Sequence, residues 1–128
     1  MPVSKEDIRT RIRVVSKWIT SHNRGAPTEV FTAVVPERTM RYIVMMAFPG
    51  DFNQTQRMEI MKTIEAGTYE TKWCPIPIAA ADYRQIPEGS YSIEDPVITL
   101  AGGENLAASI EVAGTSLNLT CIFWDADI

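Results

Sequence analysis

Hydrophobic and polar positions fall into two regimes that meet between Asn23 and Pro27. In the first, Ile8, Ile12, Val15 and Ile19 recur at intervals of four, three and four residues, and Trp18 widens the stripe. That spacing lines one face of a helix. Ser4 stands where an N-cap is needed, Glu6 and Asp7 occupy the first turn, and Asn23, Gly25 and Pro27 supply a stop. An amphipathic N-terminal helix over residues 4–20 is therefore expected. Arg9, Arg13 and Lys17 fall on a different face of it. A strand reading competes, because Ile8, Thr10, Ile12 and Val14 alternate with arginines, but the helix is preferred.

Beyond Thr28 the period shortens. Glu29 to Val35, rich in β-branched residues and closed by Pro36, reads as a strand. Met40 to Phe48 is apolar on both faces apart from Arg41, the mark of a central strand covered on both sides. After the Pro49-Gly50 turn, Asn53 can cap a short helix running through Glu65, with Met58, Met61 and Ile64 turned to the core. Thr68 to Cys74 reads as a strand, and Ala79 to Gly89 as an extended surface connection. Ser90 to Glu94 and Val97 to Leu100 read as short strands, and residues 101–105 as a turn. A type II′ turn at Gly114-Thr115 would pair Ile110 with Leu119, Ala108 with Cys121 and Leu106 with Phe123 in a terminal hairpin.

These elements predict a mainly β fold: a β-sandwich or barrel-like antiparallel sheet with an N-terminal amphipathic helix and a short second helix. The chain has 128 residues, enough for one such core. The expected organisation is a basic amphipathic arm over residues 1–24 followed by a single β-rich domain over 25–128.

Charge sharpens that division. The net charge is −4, yet six basic residues through Arg24 face only Glu6 and Asp7. A basic arm on an acidic body suits a local contact with a protein neighbour better than a broad nucleic-acid field. Contact with nucleic acid through the arm is the less favoured reading. The longest apolar run, Tyr42 to Phe48, is too short for a membrane-spanning helix. Arginines interrupt the N-terminal stretch where a signal peptide would be apolar. A cytoplasmic location, or incorporation into a viral particle, is the expectation.

Candidate chemistry is sparse. His22 is the single histidine, placed to end the first helix. Cys74 and Cys121 lack metal-ligand spacing, and their apolar settings read as buried free thiols. Two Asn-x-Thr triplets, at Asn53 and Asn118, read as coincidences without a secretion signal. Asp125 and Asp127 lie in the tail without the oxygen-rich loop of a calcium site. Gly102-Gly103 lacks the lysine of a phosphate loop and reads as a turn. No catalytic residue, cofactor or metal is assigned, and the chain is expected not to be an enzyme.

The leading expectation is a structural or assembly protein that self-associates, a design shared by viral and phage particle components. Its interface would comprise Ile8, Arg9, Ile12, Arg13, Val15, Lys17, Trp18 and Ile19, with Tyr83 and Arg84 on a proline-bounded loop. The alternative is a small β-rich module that takes a ligand or peptide at its sheet.

Overall fold

A computed structural model describes residues 4–23, 25–49, 56–65, 68–78, 83–110 and 117–128, with the backbone alone at 49, 56–57, 71–78 and 83. Among these residues the fold is mostly β, with two sheets and one short helix.

The helix α1 spans Lys5–Arg11, and Ser4 caps it by accepting a hydrogen bond from the Asp7 amide at 3.2 Å. It ends at Ile12, which is already extended. Strand β1 follows at Arg13–Ile19. The expected helix over residues 4–20 is thus corrected to one of seven residues followed by a strand. Val14 and Val15 are β-branched and stiff in a helix, and β9 (Leu117–Asp127) offers their backbone a sheet partner.

The remaining strands are β2 (Thr28–Glu29), β3 (Thr39–Pro49), β4 (Gln56–Glu65), β5 (Thr68–Ile78), β6 (Tyr83–Ile86), β7 (Ile98–Leu100) and β8 (Asn105–Ile110). One sheet runs β1-β9-β3-β6, with β7 also pairing β3; the other runs β2-β8-β4-β5. Among the described residues every strand pairing is antiparallel. The two sheets share one core. Ile19, Ile43, Met46, Leu119 and Phe123 come from the first, and Met58, Ile60, Leu106, Ala108 and Ile110 from the second.

The expected fold class is corrected at its second helix. Residues 56–65 form β4, held between β8 and β5. Its Met, Glu and Lys residues are good helix formers, but a central place in a sheet overrides propensity. Met58 and Met61 are buried as expected, whereas Ile64 is exposed. The short run Met58–Met61 is buried on both faces, so neither a period of two nor one of 3.6 marks it.

The terminal hairpin is corrected too. Its turn, residues 111–116, lies outside the described residues, but its arms belong to different sheets. Ile110 pairs with Met58 and Ala108 with Ile60, whereas Leu119 pairs with Lys17 and Cys121 with both Val15 and Met46. The inward faces of the two arms meet across the core instead of side by side. Alternation fixes which face is buried, not which strand lies alongside.

Two smaller expectations change. Only Glu29 of the 29–35 segment is strand, as the end of β2, and residues 90–94 hold a turn at 93–94 instead of a strand. Residues 30–35 nonetheless hang from the neighbouring backbone. Val30 donates to the Leu106 carbonyl, Val35 to that of Glu104, and Gly103 donates back to Val35, at 2.8, 2.9 and 2.8 Å. Gly102 permits this approach, since a β-carbon there would stand 3.0 Å from the Pro36 carbonyl oxygen.

Candidate functional site

β1 lies at the end of its sheet. It pairs with β9 on one side, and among the described residues no strand pairs with the other. A strand so placed presents a row of backbone N–H and C=O groups to whatever approaches. Its side chains alternate in environment. Val15, Lys17 and Ile19 pair with Cys121, Leu119 and Leu117, all buried, and so share the core-facing row. Val14, Ser16 and Trp18 share the opposite row, where Val14 is 63% and Trp18 51% exposed. Between them, the Ser16 hydroxyl reaches Asn118 Oδ1 and Thr120 Oγ1 at 3.0 and 3.1 Å.

A groove of about 420 Å³ runs beside this edge, lined by residues 15–17 of β1, by 30–34 and Pro36, and by Arg41 of β3. Val30, Phe31, Val34 and Pro36 make its wall largely apolar. Val34 is exposed there, an apolar side chain left in contact with solvent.

Arg41 fixes the inner end of the groove. Its guanidinium lies 4.4 Å from the Phe31 ring centroid and 4.7 Å from that of Phe123, a stacked arrangement in which the cation meets two π-faces. Nε and Nη2 donate to the two Asp125 carboxylate oxygens at 2.8 and 2.9 Å. This charge is matched in place. The other cation of the groove, Lys17, is half-buried and has no ion pair among the described residues.

The expected interface residues do not converge on one surface. Ile8 and Ile19 are buried in the chain's own cores, and Ile12 packs against the cluster of Ile8, Val44, Trp124 and Ala126 on the outer face of the first sheet. Arg9 and Arg13 are exposed, and Val15, Lys17 and Trp18 lie along β1 as described. Tyr83 and Arg84 belong to β6, at the opposite end of the strand order, where Arg84 Nη2 lies 3.7 Å from Glu88 Oε1.

Sequence reading missed Phe31, Val34, Pro36 and Arg41 as members of one wall. Phe31 and Val34 fall in a stretch that reads as a strand, Pro36 closes it and Arg41 belongs to the next strand, so nothing in the sequence gathers the four. Arg41 and Asp125 meet across 84 residues of sequence, a pairing that no local spacing announces.

Neither Cys121 nor His22 lines the groove. Cys121 is a free thiol in the core, pushed by burial from its ordinary 9.0 to about 12. His22 is exposed in the loop after β1. Among the described residues no group of three or more His, Cys, Asp or Glu side chains is placed to hold a metal ion, and no helix is long and apolar enough to cross a membrane. Comparison with protein-family models, curated proteins and solved structures finds no match for this chain.

Proposed function

We propose that this small β-rich domain is a non-enzymatic binding module that captures an extended peptide segment by adding it to the free edge of β1. The observation that carries the reading is the junction of that edge with the apolar groove beside it. Main-chain hydrogen bonds along an edge supply affinity without regard to sequence, and a pocket receiving alternate side chains supplies selection. Here the incoming strand's inward residues would meet Val15, Lys17 and the 30–36 wall, and its outward residues would meet Val14 and Trp18. An exposed tryptophan beside a groove is a favourable anchor for such a contact.

Self-assembly draws less support from the structure. Ile8 and Ile19, which would have made the apolar face of an intermolecular helix, are used within the chain. The basic residues that remain on β1 would meet their own kind in a symmetric pair.

The test uses a selection for extended peptides against the full chain, followed by binding of the best sequence with its backbone altered. Methylating alternate amide nitrogens on the side facing β1 removes donors while leaving side chains intact. Binding should weaken about fivefold for each donor lost. Equal affinity for both N-methylation phases would contradict strand addition.

A further inference from the structure

The occupant's chemistry can be taken one step further, on the reading that β1 accepts an added strand. We infer that the partner segment is acidic as well as apolar: it carries a carboxylate that faces Lys17, with aliphatic side chains two residues away on the same row.

Three features of the edge point the same way. First, Lys17 sits on the core-facing row, half-buried beside Val15 and opposite the 30–36 wall, with no ion pair among the described residues. Burying the aliphatic stem of a lysine is easy, but covering its ammonium with an apolar strand removes it from water without compensation. A strand that closes the groove therefore favours an anionic group at that point. Second, the other cation lining the groove, Arg41, already holds both Asp125 oxygens through Nε and Nη2, so among the described residues Lys17 is the unmatched charge. Third, Arg13 lies on the same row four residues away and is exposed, extending the positive character along the edge. Among the described residues no carboxylate lines the groove to offset it.

The same features argue against a second copy as occupant. Antiparallel pairing of β1 with itself places Lys17 opposite Lys17, Val15 or Arg13 in the registers centred on Lys17, Ser16 or Val15. Each brings cations onto one row, and like charges across strands oppose pairing. Inward-pointing lysines on edge strands discourage like strands from joining. An acidic partner meets no such penalty.

The alternation of the row sets the spacing. Residues facing the groove lie two apart, so a Val-x-Glu-x-Val pattern puts the carboxylate at Lys17 and aliphatic groups against the wall on either side. The intervening residues face Val14 and Trp18, where threonine or an aliphatic residue fits a half-exposed apolar surface.

Three nine-residue peptides differing only at the central position, Glu, Gln or Lys, would be titrated into the full chain and into Lys17→Glu. Backbone amide shifts of residues 13–19 and native mass would be followed together. The original chain should prefer Glu over Gln by about threefold and Glu over Lys by about tenfold at low salt, with both preferences shrinking as salt rises. Lys17→Glu should reverse the order, favouring the Lys peptide; the side chain is only half-buried, and retained amide dispersion would establish that the variant folds. Equal binding of all three peptides, with β1 amides shifting, would overturn the acidic partner while leaving strand addition standing. Failure of every peptide to shift β1 amides would overturn both. Doubling of native mass with β1 amides perturbed in the absence of peptide would make a second copy the occupant and overturn the inference.

Discussion

Arg41 shows how one residue can set the shape of a groove wall. Its guanidinium stacks on Phe31 and Phe123 and pairs with Asp125, tying the 30–36 wall to β3 and β9. Lysine could carry the charge but neither the planar stack nor the two-pronged contact. Cys121 is informative for a different reason. Burial holds its thiol at about 12, against 9.0 for an exposed one, so below pH 9 it is neutral in both folded and unfolded chains. As pH climbs past 9.0 the unfolded chain ionises while the folded one does not, and stability falls until the folded value near 12 is reached. Denaturation of the native chain and of Cys121→Ala between pH 8 and 11 should therefore give parallel results at the low end. The native chain should lose more stability at the high end. Both proteins share every other titrating group, so equal pH slopes would show that Cys121 is not buried as described.

At the scale of elements, the N-terminal segment divides its work. α1 covers the outer face of the first sheet through Ile8, and β1 forms that sheet's edge. Ile8→Ala should cost about 2 kcal/mol, the low end for a buried isoleucine because α1 is short and can settle over the gap. The accompanying loosening should alter the indole N–H resonance of Trp124, which donates to the Ile93 carbonyl at 3.1 Å next to the same cluster. An unchanged Trp124 signal and unchanged stability would mean that α1 does not dock there. Ser4 as cap, the acidic first turn and the apolar character of Ile8 and Ile19 were all legible from sequence. The length of the helix was not, because a stripe at positions 8, 12, 15 and 19 satisfies a helix throughout, while the strand that replaces half of it depends on β9 more than ninety residues later. Residues 56–65 failed for a related reason: their helix-forming composition is local, and the burial of Met58–Met61 on both faces is supplied by neighbouring strands.

For the whole molecule, two sheets closing on one core leave one end of the first sheet as the candidate site. Long-range pairing decides this. β9 lies between β1 and β3, so the last strand of the chain carries the first as its outer neighbour. Sequence reading grouped Arg13, Val15, Lys17 and Trp18 with Tyr83 and Arg84; the first four belong to β1, and the last two sit in β6 at the other end of the strand order. Charge segregation between the N-terminal segment and the rest was visible in sequence. Its location beside an apolar wall was not, because that wall is assembled from a loop, an edge and one arginine.

The most direct measurement is amide hydrogen exchange of residues 13–19 in the full chain, with and without the Glu-centred peptide. In an edge strand, alternate amides point to the paired neighbour and to the open side. The free protein should exchange rapidly at every second residue of β1 and slowly at those between, which bond to β9. Peptide should slow the rapid set selectively and leave the other set unchanged. Uniform slow exchange in the free protein would mean that the edge is already covered, and unaltered exchange at saturating peptide would contradict capture by strand addition.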